Sequence, residues 1–501
     1  MRTPAKRIAL MWLIGSLLLQ LAWISALPPF AGVDEFDHAY RASAVAHGQI
    51  TNGHIAATDG RGELVVVDRS IADAARAQCE ARTYTGPDNC RPVADAGPGM
   101  VTIASAAASY NPAFYFVVGK AAEPFDGAYA LYVMRLVAAL LCSLFLALAA
   151  WLTCLWARTR WPLVGLMVAS TPVLVYSASI ASPNGLEMCA ALSVWAALLG
   201  LSRTDRGAAR QRRLLLWATP GAVVVATIRT MGPALLLLIV ATCVAVIGAR
   251  ATMGILRRHL TVILPISVAV LAATLANIAW IIKQAPNARE GTALVPLQDP
   301  VMNSLQQVPL WFFQSIAAFP SRTEQAPLAV YLLYMVAFFG VLILGWRSAG
   351  RSRRLAVLIA AVFTVALSVG VNSYYYSTDG DVWQGRYGLP YAVGIVLISV
   401  LALDEARWSP VRSRSLLRIG WAALTAAQVV GVTSVALKMI DKGSVVDDPV
   451  WVYHSPVMIA TLTVLGWSFW ALAIKRFVRG RSDELVTARV QEHLRTAVLT
   501  H

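Results

Sequence analysis

Charge is what this sequence has least of. Asp, Glu, Lys and Arg together make up 14% of its 501 residues, while 57% are hydrophobic. A soluble chain of ordinary composition carries about 25% charged residues. The shortfall runs along nearly the whole length, so a single apolar core does not account for it. A bilayer does, because side chains facing lipid need no polar shell. Nucleotide machinery is missing too: there is no Walker A loop, no glycine-rich dinucleotide fingerprint, no HExxH and no CxxC pair. These absences argue against a nucleotide-powered pump and against an enzyme fed by a cytosolic nucleotide-sugar domain. Internal repeats and low-complexity tracts are also lacking.

Acids are the scarcer sign, with 27 Asp and Glu against 42 Lys and Arg and a formal net charge of +15. The basic residues stand in short clusters between apolar runs. That pattern encodes membrane topology, not a nucleic-acid footprint. Cysteine is sparse, six in all. Cys142, Cys154, Cys189 and Cys243 lie in or beside apolar runs and read as buried small hydrophobes. Cys79 and Cys90 stand apart in a polar stretch. They form a disulfide if that stretch faces an oxidising compartment, and are free thiols otherwise.

What the chain does have is hydrophobic length. Apolar runs fall at about 8–27, 128–156, 162–180, 186–202, 214–228, 232–249, 260–282, 327–346, 355–371, 387–403, 419–437 and 456–474. An all-α polytopic membrane protein with about twelve spanning helices is therefore expected. The pair flanking Arg229 also reads as one broken element. The first run follows Arg2, Lys6 and Arg7 as in a signal peptide. It is long enough to span, and no small-x-small cleavage site follows it, so it reads as an uncleaved helix.

Alternate loops carry the arginines: Arg158 and Arg160; Arg203, Arg206, Arg210, Arg212 and Arg213; Arg250, Arg257 and Arg258; Arg347, Arg351, Arg353 and Arg354; Arg407, Arg412, Arg414 and Arg418. Lys475, Arg476, Arg479 and Arg481 follow the last run. The positive-inside rule puts these loops and both termini in the cytoplasm. The expected layout is a first helix over 1–27, a large outward loop over 28–127, a bundle over 128–474 and a cytoplasmic tail over 475–501. In the loop, Glu63 to Asp68 suits a short strand, and Tyr110 to Val118 suits the membrane surface. Val301 to Phe319, with Trp311, Phe312 and Phe313, suits the interface as well. The end of the tail, about 482–501, suits a short amphipathic helix.

Four segments carry candidate chemistry. In the first, Asp34, Glu35, Asp37 and His38 fall within five positions directly after a spanning helix. Carboxylates this crowded resist ionising together, and such clusters mark tuned acids. If the segment is helical, Asp34, Asp37, His38 and Arg41 share one face and Glu35 points elsewhere. The plain alternative is an acid-rich loop start with Asp34 as a helix N-cap. The second is Asn372 to Tyr387, whose Arg386 is placed to grip a phosphate, or to snorkel from an aromatic belt. The third is Arg229 between two apolar runs, costly there and therefore a functional candidate, or a simple interfacial turn. The fourth is Ser182 to Glu187, whose acid also suits a helix first turn for the dipole alone.

These segments, in this order, resemble the GT-C superfamily of membrane glycosyltransferases, and most of all a bacterial membrane family catalogued as a domain of unknown function. The carriers are Pro28-Pro29-Phe30 with Asp34-Glu35, His38 and Arg41; Tyr110-Asn111-Pro112; Ser182-Pro183-Asn184; Arg229 with Gly232-Pro233; and Gln384-Gly385-Arg386-Tyr387. The resemblance implies transfer of a sugar from a polyprenyl-phosphate donor, on the outer face of the bacterial inner membrane. The acceptor is an envelope polysaccharide, glycolipid or protein. Asp34 is then the general base on the acceptor hydroxyl, with inversion at the anomeric carbon, and Glu35 a supporting acid. It matches the Asp-Glu pair of the protein O-mannosyltransferase and lipid A aminoarabinose transferase branches. Asp37, His38, Tyr110, Asn111 and Glu187 support the site. Arg386, Tyr387, Arg41, Arg229 and Lys120 are the candidate ligands of the donor phosphate. Where some relatives carry a basic residue three positions after the first acid, this chain has Asp37, and His38 or Arg41 stands in. Some GT-C branches use a divalent metal, for which Asp34 with Asp37 is the one candidate pair; no cofactor is expected. The competing functions are a transporter or flippase of lipid-linked saccharide, and an inactive scaffold of a polysaccharide assembly.

Overall fold

The computed structural model describes residues 3–51, 53–203, 207–284, 298–321, 323–407, 413–441, 451 and 455–499. Arg2, Arg206 and Arg412, counted above among the basic clusters, lie outside them. The chain opens on helix α1 (Thr3–Ala26) and then builds a polar lobe. The lobe comprises α2 (Glu35–Ala46), β1 (Glu63–Asp68), α3 (Arg69–Glu80), α4 (Pro87–Cys90), β2 (Ala94–Asp95), β3 (Met100–Ser105) and α5 (Pro112–Ala122). The helical bundle follows: α6 (Gly127–Trp156), α7 (Trp161–Ala169), α8 (Pro172–Ser177), α9 (Pro183–Leu201), α10 (Ala208–Ile228), α11 (Gly232–Ile247) and α12 (Ala249–Lys283). It is completed by α13 (Gln298–Ile316), α14 (Leu328–Ser348), α15 (Arg351–Asp379), a 3-10 turn (Gly385–Gly388), α16 (Leu389–Glu405), α17 (Ser413–Asp441) and α18 (Pro456–Leu499).

All twelve apolar runs are helical, and among the described residues nine helices are long and apolar enough to cross a membrane. Three runs fall short for separate reasons. The run at 162–180 breaks between α7 and α8, where Pro172 removes a backbone donor and Thr171 Oγ1 caps Leu174 N at 3.2 Å. Helix α10 opens on Arg210, Arg212 and Arg213. Helix α11 has only 16 residues, and the extended backbone of Arg229 makes α10 and α11 two separate helices. Helix α18 runs on without a break through Leu499, in place of the separate tail helix expected there.

Lipid offers no hydrophobic drive between helices, so close backbone approach does the packing. Helices α1 and α18 cross where a Cβ on Gly15 would lie 2.7 Å from Gly466 O. Beside that crossing Trp12 and Trp470 stack at 4.8 Å. Trp195 of α9 rests on Gly394 of α16 and donates to Pro390 O at 3.0 Å. At the far end of α16, Asp404 accepts from Arg158 N, Thr159 N and Arg203, closing the loops there.

The lobe is ordered by a three-stranded antiparallel sheet in the order β1-β3-β2. Glu63 to Asp68 pairs with Met100 to Ser105. Val65, Val67, Val101 and Ile103 point inward by strand alternation and join the main apolar core beside α2. Cys79 and Cys90 are disulfide-bonded, with Cα atoms 5.3 Å apart. Of the stretch Tyr110 to Val118, residues from Pro112 on form the first two turns of α5. Its Phe114, Tyr115 and Val118 are buried, and Phe116 and Val117 are exposed. The 301–319 stretch is mostly helix α13. It exposes Met302, Leu305, Leu310 and Phe313, while Trp311 is buried against the 3-10 turn, where a Cβ on Gly385 would lie 1.9 Å from Trp311 O.

Candidate functional site

The end of α1 and the start of α2 are joined by a clamped turn. Ala31 N donates to Pro28 O, and Val33 N to Tyr176 Oη at 2.9 Å. Tyr176 in turn donates to Pro320 O at 2.7 Å. Phe30 and Asp34 both adopt positive φ, 61° and 53°. Non-glycine residues seldom do so, and such backbone concentrates at functional sites. Asp34 occupies the N-cap position of α2, yet its side chain makes no capping hydrogen bond. Its Oδ2 lies 3.6 Å from Arg386 Nη2 instead.

Helical rotation sends the crowded acids of this segment in different directions, each to its own arginine. Glu35 is fully buried. It accepts from Arg135 Nε at 2.8 Å and Nη2 at 2.6 Å, from Gly32 N at 3.2 Å and from Ala181 N at 3.1 Å. Both Glu35 oxygens are thus engaged in a buried clamp. Asp37 accepts from Arg61 at 3.3 Å and from Ala106 N at 2.7 Å. Burial drives its carboxyl up to about 7, against the pull of Arg61. Among the described residues, no three His, Cys, Asp or Glu side chains gather as metal ligands would.

His38 bonds Tyr115 Oη through Nδ1 at 2.8 Å, and burial pushes its imidazole down to about 4. It is neutral at pH 7 and supplies no cation for a phosphate. Arg41 is turned into the lobe, donating to Gln49 O, Ile50 O and Tyr110 O. Lys120 projects from the exposed side of α5 and pairs with Glu123 at 3.0 Å. Neither is aimed at the Arg386 group. Asn111 caps α5 through Ala113 N and reaches Asn277, which donates to Arg229 O at 3.1 Å.

The cations that do converge are Arg386 and Arg229. The Arg229 guanidinium lies 4.5 Å and that of Arg386 5.4 Å from the centre of the Tyr387 ring. Two guanidiniums on one ring repel, and they are poised for an anion. Their acidic neighbours are held loosely, Asp34 at 3.6 Å and Glu187 at 3.9 Å. Helix α9 starts at Pro183, so Glu187 lies beyond the first turn and its burial is not a dipole effect. Arg386 is delivered by a strap. Asn372 accepts from Trp383 N at 2.9 Å and donates to Asp381 and Ser304, while Gln314 accepts from Gly385 N at 3.0 Å. Directly beside that strap a groove of about 230 Å³ runs between α13, α14, α15 and α16. Trp311, Phe312, Phe338, Val365 and Val393 line it.

Arg135 and Arg61 were not singled out in the sequence. Arg135 had a usable signal, since it is a lone charge inside the run at 128–156. Arg61 had none, being one of several arginines in a polar loop.

Among the described residues, nine helices long and apolar enough to cross a membrane, with buried charged side chains where they meet a polar lobe, define a multi-pass membrane protein. The chain belongs to the family described as predicted membrane protein (DUF2142), whose profile matches residues 17–395. Comparison with curated proteins gives no match. Among solved structures the chain is similar to ArnT from Cupriavidus metallidurans in the apo state. That match has 17% identity and a TM-score of 0.39, over 87% of this chain and 75% of that one. The same protein bound to undecaprenyl phosphate matches at 17% identity and a TM-score of 0.40, over 92% and 76%. Scores this low carry neither substrate nor mechanism across.

Proposed function

We propose that this protein is a membrane glycosyltransferase that moves a sugar from a polyprenyl-phosphate carrier to an acceptor hydroxyl. The acceptor belongs to an envelope polysaccharide, glycolipid or protein, and transfer takes place on the outer face of the bacterial inner membrane. The observation that carries this reading is the Asp34–Arg386 pair. A partly exposed carboxylate, freed from capping by a left-handed backbone, stands against a buried guanidinium whose chain neighbour Gly385 lines an apolar groove.

In this reading Asp34 removes the proton of the acceptor hydroxyl. The hydroxyl oxygen attacks the anomeric carbon from the side opposite the phosphate, so the configuration inverts. The bond from that carbon to the phosphate oxygen breaks, and the polyprenyl phosphate leaves. Arg386 and Arg229 meet the charge on the leaving phosphate, with Tyr387 holding them together. The groove suits the first isoprene units of the carrier. Glu35 keeps a structural part through Arg135, and no step is routed through a metal.

The test is glycosyl transfer by the purified protein from a panel of polyprenyl-phosphate sugars, with Asp34→Asn beside the wild type. Transfer by the wild type that falls about a thousandfold or more in a folded Asp34→Asn is expected for a lost general base. A wild type that transfers nothing, yet moves lipid-linked saccharide across vesicles with or without Asp34, replaces the enzyme with a transporter.

A further inference from the structure

Among the described residues, three buried hydrogen-bond acceptors with no partner stand on α9, which faces Arg229, and on the strap that carries Arg386. They are Glu187 Oε1, Asn184 Oδ1 and Gln384 Oε1, each out of solvent's reach. Glu187 is 2% exposed and Asn184 5%, and the two share one face of α9 at i and i+3. Glu187 faces Arg229 across 3.9 Å, beyond hydrogen-bond range. Gln384 stands two residues before Arg386. The turn into α9 is tied to the start of α2, because Ala181 N donates to Glu35 Oε1. Glu187 and Asn184 thus flank Arg229 from α9, and Gln384 flanks Arg386 from the strap. A buried acceptor without a donor is unfavourable, and more so when charged. Sites with that cost recover it when a ligand brings the donors.

We infer that Glu187, Asn184 and Gln384 form the subsite for the hydroxyl groups of the transferred sugar. The inference rests on the glycosyltransferase reading above and adds the part of the donor that reading leaves open. The chemistry of the set selects the ligand. A carboxylate and two amide carbonyls accept and do not repel O–H donors, and a sugar offers several in a row. A second phosphate is disfavoured there, because Glu187 would face it. The orientation also fits a single donor: phosphate on Arg386 and Arg229, chain in the groove, ring toward Asp34.

The experiment measures binding to the full-length protein in nanodiscs. The probes are undecaprenyl phosphate and its glucose, mannose, galactose and arabinose derivatives. At least one sugar-bearing lipid is expected to bind about tenfold tighter than the bare carrier. Glu187→Gln and the milder Asn184→Ala should each remove most of that gain. Glu187→Gln should at the same time hold bare undecaprenyl phosphate as well as the wild type or better, because Arg229 loses its competing carboxylate. Weakening of both lipids together marks a structural role and overturns the subsite. So does a gain that survives in both variants, or no gain with any of the four sugars. Binding of Mn²⁺ by the wild type that Glu187→Gln abolishes overturns it as well, since the acceptors then serve a cation. If the wild type binds neither bare nor sugar-bearing carrier and Arg386→Ala changes nothing, the glycosyltransferase reading falls and takes the subsite with it.

Discussion

Glu35 and Arg135 grip each other through two hydrogen bonds, 2.6 and 2.8 Å long, with both side chains at 0% exposure. The same guanidinium donates to Leu27 O and Pro28 O. The same carboxylate accepts from Gly32 N and Ala181 N. One ion pair thus ties α1, the turn bearing Asp34, α6 and the approach to α9. Arg135→Leu leaves a buried carboxylate unpaired, a loss on the order of 3–5 kcal/mol. A steep drop in melting temperature in detergent is expected, and Glu35→Gln, which keeps an acceptor for Arg135, should lose less. A wild-type melting curve for Arg135→Leu would remove the clamp from this account.

Arg386→Ala should weaken binding of undecaprenyl phosphate by about tenfold to a hundredfold, the scale of a charge-assisted phosphate contact. Arg386→Lys should recover only part of it, because an ammonium on a flexible stem does not reproduce the planar fork. Undecaprenol, which lacks the phosphate, is the control, and its binding should not change. Equal losses for both lipids would show that Arg386 shapes the groove and does not grip the phosphate.

Asp37 carries a pH signature. Its carboxyl is raised from 3.8 to about 7 by burial, so between those values the folded state holds a proton that the unfolded state has lost. That contribution to stability is present below 3.8 and is lost as pH rises through 7. Asp37→Asn has no such loss. Its stability relative to wild type should climb between pH 5 and pH 8, by on the order of 2 kcal/mol. Melting temperatures across that range decide it, and a constant difference would count against the raised value.

Asn372 acts on Arg386 only through the strap, by holding Trp383 N and Asp381. Asn372→Ala should therefore lose the phosphate-dependent part of carrier binding, about tenfold, and leave the affinity for undecaprenol as it was. Equal loss of both lipids would point to a collapsed groove between α13 and α15. Wild-type affinity for both would detach Asn372 from the site.

The membrane class was legible because it needs only local information. A run of about twenty apolar residues fits a bilayer whatever lies around it, and all twelve runs are helical. The exception among single runs, 162–180, turns on Pro172, whose missing N–H is a local fact that hydropathy does not weigh. Strand Glu63–Asp68 was also legible from its valines. Asp34, Arg386, Arg229 and Tyr387 stood out by residue type and resemblance, yet the same reasoning offered Arg41 and Lys120 as equals.

Hydropathy and charge pattern alone suffice for a helical membrane protein with one polar lobe, and they pick out the segments that bear Asp34, Arg229 and Arg386. Which of these charges pair off in buried clamps depends on the folded arrangement. The reason is that partner choice is a three-dimensional fact. Glu35 and Asp37 are neighbours of Asp34 along the chain, but one is spent on Arg135 and the other on Arg61. Asp34 alone is left facing Arg386, because a left-handed turn at its own backbone aims it there.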